Sequence, residues 1–229
     1  GAVCKVETYG YLDGADWLIG DYRFEAGYCY FSLSYQGVKK ANFQLAMIGR
    51  HNAENAASVA ALCLKLGLTV DEINSAFKTF EGIKRRQEVV GVKNGVTVLD
   101  DFAHHPTAIR KTLEAVKEAY PGQRLWAVFE PRSATSKRKV FEQDFPDSFL
   151  VADHVIIAGL FAPEKISEDE RLDPEGVVNC LREKGCDAHF IREVDDIVAF
   201  MAENTESGDV VLVMSSGGFG DIHQKILGQ

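Results

Sequence analysis

Apolar residues follow two rhythms along this chain. The first forty or so residues read as β-rich, with Trp17-Leu18-Ile19 and Tyr28-Cys29-Tyr30-Phe31-Ser32-Leu33 as strands and Asp13-Gly14 and Gln36-Gly37 as turns. Gly1-Ala2-Val3 runs straight into this strand-like pattern. An Ala-rich helical pattern follows from about Ala53 to Leu66 and is closed by Gly67. Thr69 and Glu72 have the spacing of a capping box for a second helix, which carries Ile73, Ala76, Phe77 and Phe80 on one face.

From Glu88 onward the pattern alternates strand and helix. Val96-Thr97-Val98-Leu99 predicts a strand. Pro106 suits the first position of a helix, where its missing N–H costs nothing, and Ile109, Leu113, Val116 and Tyr120 recur at helical spacing until Pro121-Gly122. Leu125-Trp126-Ala127-Val128-Phe129, Val155-Ile156-Ile157-Ala158, Ala188-His189-Phe190-Ile191 and Val210-Val211-Leu212-Val213-Met214 predict further strands. Helices fit near 138–151, 174–184 and 194–204. Repeated strand–helix units with β-branched runs predict an α/β fold, its mostly parallel sheet covered on both faces. The boundary falls near Gly82-Ile83-Lys84-Arg85-Arg86, giving 1–82 as the tail of one domain and 83–229 as a complete α/β domain.

Composition narrows the partners. The 229 residues are 46% hydrophobic and 26% charged, enough to bury a core. The formal net charge of −9 argues against nucleic acid or an anionic membrane as the main partner, since both attract clustered Lys and Arg. Cys4, Cys29, Cys63, Cys180 and Cys186 are odd in number and show no metal spacing. With no signal peptide or long apolar span, reduced thiols in a cytoplasm fit best. The first residue is not Met, so a fragment of a longer protein is expected.

In open α/β sheets ligands gather at the carboxyl ends of strands. Three loops qualify: Asp100 to His105, Glu130 to Thr135, and Met214 to Gly220. Asp100, Asp101, His104 and His105 combine hard and borderline donors for a metal, as in a metal-dependent hydrolase. Equally, an Asp caps the turn and the histidines sit solvated at a helix start. A nucleotide contact is a third reading, with Phe102 against a base and Asp101 towards a ribose hydroxyl. Lys84-Arg85-Arg86 is a solvated charge run or a fork onto phosphate oxygens, and Arg132 has the same two readings. Asn52 and Asn55 share a helical face: Asn52 caps the helix, or the amides meet a purine edge. Lys137-Arg138-Lys139 and His223 read as surface. Residues 215–220 lack the spacing and Lys of a P-loop, and the chain holds no Gly-x4-Gly-Lys-Ser/Thr, no Gly-x-Ser-x-Gly and no paired Cys/His nucleophile. A noncatalytic nucleotide-binding module also accommodates these features.

Taken together, several segments resemble one family. Gly49-Arg50-His51-Asn52-Ala53-Glu54-Asn55-Ala56 resembles the G-x-H-N-x-x-N-A segment of the Mur ligases, ATP-dependent amide-forming enzymes of peptidoglycan assembly. Phe80 to Glu88 resembles their interdomain junction, and Asp100-Asp101-Phe102-Ala103-His104-His105-Pro106-Thr107 is similar to the signature of the branch acting on UDP-N-acetylmuramate. Phe102 and Ala103, with Glu130-Pro131-Arg132-Ser133 and residues 214–220, resemble the recycling member of that branch, which adds the muropeptide tripeptide L-alanyl-γ-D-glutamyl-meso-diaminopimelate. The alanine-adding relatives carry His-Arg where this chain has Arg132-Ser133.

The resemblance implies an acyl phosphate made with ATP and Mg²⁺, then attack by the acceptor amine. It implies that 1–82 is the end of a central ATPase domain and 83–229 a Rossmann-like C-terminal domain. The P-loop, the Mg²⁺ ligands and the UDP-sugar domain would lie upstream, so the piece alone is expected to be inactive and holds no assigned catalytic residue. By motif, Asn52 and Asn55 match adenine-side positions, Arg86 a phosphate contact, and Asp101, Phe102 and His104 the turn that packs on adenosine. Arg132, Thr135 and Ser216 are the candidates for the incoming peptide.

Overall fold

The apolar alternation of the early residues makes a four-stranded sheet in the order β1-β2-β3-β4: β1 (Tyr9–Gly10), β2 (Trp17–Glu25), β3 (Tyr28–Tyr35) and β4 (Val38–Leu45). β1 lies parallel to β2, and the other pairs are antiparallel. Side chains alternate between the faces of a strand, so Ile19, Phe31, Leu33, Phe43 and Leu45 are buried in one cluster with Ala53, Ala56, Ala57, Ala60 and Ala61 of α1 (Arg50–Lys65). α2 (Val70–Thr79) adds Ile73 and Phe77, the latter edge-on to Phe43. These elements belong to one compact unit, Gly1–Gly82, and the rest to a second, Ile83–Gln229. This computed structural model describes residues 5–228; Cys4 and the Gly1-Ala2-Val3 pattern lie outside them.

Some local expectations change. α1 begins at Arg50, because Gly49 at its N-cap adopts φ 93°, a conformation that suits glycine. Asn52 therefore lies inside the helix and donates to the Ile48 carbonyl at 2.8 Å instead of capping it. Gly67 (φ 91°) closes α1 as expected, with Leu68 N–H bonded to the Cys63 carbonyl and Gly67 N–H to Leu64. The Thr69–Glu72 capping box is present. α2 stops at Thr79, which leaves Phe80 beyond its last turn; Phe80 and Ala76 are exposed and do not share the buried face of Ile73 and Phe77.

The second unit holds a six-stranded sheet in the order β5-β6-β10-β7-β8-β9. β5 (Glu88–Lys93) pairs antiparallel with β6 (Val96–Asp101) at one edge. β6, β7 (Leu125–Phe129), β8 (His154–Ile157), β9 (Asp187–Phe190) and β10 (Val210–Met214) run parallel. Every residue of β7 and β10 is buried, as the β-branched runs require in a sheet covered on both faces. On one face Val98, Trp126, Val128, Ile156, Val211 and Val213 form a core with Ile197 and Met201 of α6 (Val194–Asn204) and Ile222 of α7 (Ile222–Leu227). α3 (Pro106–Ala119) and α5 (Pro174–Glu183) start with prolines at their first positions. The single helix expected near 138–151 is instead a 3₁₀ turn at Lys139–Phe141 and a short α4 (Phe145–Phe149). Pro146 is the reason: it lacks an N–H and clashes with a preceding carbonyl, so a helix can start at it but not run through it.

Candidate functional site

The sheet order brings the three polar loops of the second unit together. β10 lies between β6 and β7, with Met214 level with Asp101 on one side and Phe129 on the other. Backbone bonds stitch the loops at their roots: Ser215 N–H donates to the Asp101 carbonyl and Glu130 N–H to the Met214 carbonyl.

The Asp101 carboxylate is buried and accepts from the Ala103 and Gln87 backbone N–H groups, at 2.7 and 2.9 Å. Burial pushes its pKa up, against the pull of those amides and the Arg86 charge. The bonds fold the chain back on itself and leave Phe102 half-buried at the tip, edge-on to the His104 ring. His104 Nδ1 lies 2.9 Å from the Phe102 carbonyl, where a protonated Nδ1 donates and leaves Nε2 free of that bond. His105 accepts from Thr107 N–H as the N-cap of α3 and packs on Phe141.

Two guanidinium groups flank Phe102, Arg85 at 5.2 Å and Arg86 at 5.6 Å from its ring centroid. They differ in environment. Arg85 is held in place: Nε donates to Asp100 at 3.0 Å, and Nη2 donates to the Ser215 and Gly217 carbonyls at 2.6 and 2.7 Å. Arg86 is exposed, its head groups in none of these bonds. Arg85 and Gln87, on either side of it, both have left-handed backbone (φ 60° and 52°), which costs about 1–2 kcal/mol per residue. Strain at a bend that displays an open guanidinium suits a ligand contact.

Arg132 belongs to the Glu130–Thr135 loop, its guanidinium 3.6 Å from the Phe161 ring centroid and 3.6 Å from Glu130. Ser215 Oγ donates to Glu130 at 2.5 Å, which links this loop to the β10 loop. A Cβ on Gly217 would overlap the Arg132 guanidinium, so the glycine makes room for it. Thr135 is exposed within the Ser133–Ser136 hydroxyl network, and Ser216 is half-buried between the two carbonyls that bind Arg85. Beyond Phe161 opens a cavity of about 520 Å³, lined in part by Glu130, Arg171, Phe190 and Arg192.

Asn52 and Asn55 belong to the first unit, on the first turns of α1. Asn52 is buried and tied to Ile48, whereas Asn55 is exposed. The four metal candidates of the Asp–His turn do not converge: Asp100 faces Arg85, Asp101 faces backbone amides, and His105 caps a helix. Among the described residues no group of three or more His, Cys, Asp or Glu side chains is placed to hold a metal ion. That geometry removes the basis of the metal-dependent hydrolase reading.

Two residues read as surface are not. Lys137 is buried, its ammonium 5.9 Å from the Phe161 ring centroid. His223, on α7, is half-buried and faces Asp100 at 3.4 Å. Its apolar neighbours Ile222 and Ile226 in sequence mark a helix face, but only the sheet order reveals Asp100 opposite.

An antiparallel edge strand, five parallel strands and three loops gathered at their carboxyl ends define an α/β domain of the doubly wound kind. Residues 85–217 match the family model described as Mur ligase, glutamate ligase domain, and the chain belongs to the Mur ligase family. UDP-N-acetylmuramate–L-alanine ligase from Caldanaerobacter subterraneus subsp. tengcongensis is 36% identical over 224 residues, covering 97% of this chain and 48% of that protein. A murein peptide ligase structure from Psychrobacter arcticus is 31% identical, with a TM-score of 0.67 over 96% of this chain and 45% of that one. UDP-N-acetylmuramate-alanine ligase from Thermotoga maritima, at 19% identity, shares the fold with a TM-score of 0.81 over 97% of this chain and 47% of that one. The chain thus spans about half the length of the curated relatives it matches. No helix among the described residues is long and apolar enough to cross a membrane.

Proposed function

We propose that this chain is part of an ATP-dependent ligase joining an L-alanyl α-amine to the carboxylate of UDP-N-acetylmuramate through an acyl phosphate. In this reading residues 1–82 end the central ATPase domain and 83–229 form the C-terminal ligase domain, at work in the cytoplasm. The observation that carries it is the Phe102 platform with its two guanidinium groups at the carboxyl end of β6, in a chain of this family. Phe102 and His104 supply a face for adenosine, Arg86 a fork for phosphate oxygens, and Asp101 holds the turn that presents them. By motif, Asn52 and Asn55 keep the adenine-side role that the family resemblance implies for them. By the family resemblance, the Mg²⁺ that neutralises the phosphates would be held by residues outside this chain. The contribution of this part is to position nucleotide and amine.

The names of the curated relatives support free L-alanine as the acceptor. A second reading takes the tripeptide L-alanyl-γ-D-glutamyl-meso-diaminopimelate, which presents the same amine. It is favoured by Arg132-Ser133 in place of His-Arg, by the 31% identity to a murein peptide ligase, and by the cavity beyond Phe161, which has room for more than one residue. Arg132, Thr135 and Ser216 are the acceptor contacts in both. The test is phosphate release by the complete gene product with ATP, UDP-N-acetylmuramate and either acceptor. Release that requires UDP-N-acetylmuramate supports the proposal; a strong preference for L-alanine or for the tripeptide decides the acceptor, and release with neither ends it.

A further inference from the structure

Asp100 is the least explained member of the site. It is buried at the end of β6, beside the turn assigned to the nucleotide. Oδ2 is bound by Arg85. Oδ1 and His223 Nε2 are both buried and without a hydrogen-bond partner, yet they face each other at 3.4 Å. Leaving two buried polar atoms unmatched is costly, and one proton on Nε2 serves both.

The chain leading to His223 is built to deliver it there. Phe219, Gly220 and Asp221 are consecutive left-handed residues, with φ of 47°, 58° and 57°. Such a turn is strained at the two non-glycine positions and persists only where its surroundings enforce it. Buried Phe219 anchors it, and α7 then starts at Ile222 with His223 turned towards Asp100. Just upstream, the Ser215 and Gly217 carbonyls bind Arg85. Arg85 and His223 thus grip Asp100 from two directions, and both are tied to residues 215–223. Other charged groups on elements against α7 are Glu88 and Lys93 on β5, Asp195, Asp196 and Glu203 on α6, and Asp221. Glu88 accepts from the Arg85 backbone N–H, and Asp195 is paired with Lys225. Among the described residues Asp100 is the one acidic group within 4 Å of the His223 ring nitrogens.

We propose that His223 is a positioning residue: its Nε2–H donates to Asp100 Oδ1, completes an Arg85–Asp100–His223 bridge, and so fixes the strained bend that displays Arg86 beside Phe102. This rests on the reading of Arg86 and Phe102 as nucleotide contacts. The experiment uses the complete gene product and three forms: wild type, His223→Phe, which keeps the ring volume without the donor, and His223→Gln, whose amide nitrogen can reach the place of Nε2. ADP affinity is expected to fall about tenfold in H223F and to return to within about twofold of wild type in H223Q. Unchanged affinity in H223F, or equal loss in both variants, overturns the proposal. Hydrogen–deuterium exchange over residues 85–103 gives a second reading that needs no ligand, because the Phe102 N–H is bonded to the Arg85 carbonyl. Faster exchange there in H223F but not in H223Q supports the bridge, and identical exchange in all three overturns it. If wild type binds no ADP, the nucleotide reading fails and the exchange result decides the bridge alone.

Discussion

Each unit contains a buried or half-buried charged cluster, and the two are finished differently. In the first unit Glu7 accepts from Trp17 Nε1 at 2.9 Å, Tyr35 OH at 3.0 Å and Lys65 at 2.9 Å, with Lys5 at 3.2 Å. Its bonds, the Lys65 one foremost and Trp17 next, bring its pKa down to about 2. In the second unit Asp100 is bound by Arg85 on one oxygen and faces His223 across an incomplete contact on the other. Burial raises its pKa, but the His223 and Arg85 interactions outweigh that, so it ionises below the usual carboxylate range. The first cluster is a closed clasp that ties residue 7 to β2, β3 and α1. The second sits at the end of parallel strands, beside an open guanidinium, where an unfinished network leaves something to be set by a proton or a ligand.

The sharpest way to break this contrast is Arg85→Ala. It strands a buried carboxylate and frees the 215–217 carbonyls, so unfolding of the second unit in urea should cost about 3 kcal/mol less. An unchanged midpoint would mean that Asp100 is not held by this pair. Arg86→Ala, one residue away, should leave the urea midpoint within about 0.5 kcal/mol, because the side chain is exposed. Its expected cost is a roughly tenfold higher KM for ATP in the complete protein. If R86A alters stability and R85A does not, the roles are reversed. Gly217→Ala should push the Arg132 guanidinium off its seat. The KM for the amine acceptor is expected to rise about fivefold, with the KM for ATP unmoved. A change in ATP use instead would place Arg132 on the nucleotide.

The smallest effect belongs to the first cluster and appears only in acid. A carboxylate whose folded pKa is depressed contributes stability that is present above its unfolded value and lost as pH falls through the folded one. For Glu7 that window runs from about 4.5 down to about 2. Trp17 fluorescence should report loosening of the first unit across it in wild type, and Glu7→Gln should flatten that dependence.

Much of this fold was legible before any coordinates, for physical reasons. Buried parallel strands must be apolar throughout, so 125–129 and 210–214 stand out, and Pro106, Gly67 and Thr69 announce helix ends by their chemistry. The failures are equally physical. The apolar spacing over 138–151 resembles a helix, and Pro146 forbids it. Gly49 starts α1 early because its backbone conformation is closed to most residues. The carboxyl-end loops could be listed, but which of them touch depends on β10 returning between β6 and β7. His223 and Asp100 are far apart in sequence, and no local pattern brings them together. Lys137 looked solvated among basic neighbours, whereas the folding of its loop over Phe161 buries it.

The place of β10 also has a consequence for how this protein is made. The strand completed last, 210–214, fills the middle of the sheet. Until the ribosome has released it, β6 and β7 lack the neighbour between them and expose unpaired apolar edges. Nascent chains ending short of Val210 should therefore depend on a chaperone, and the second unit should gain protease resistance in one late step.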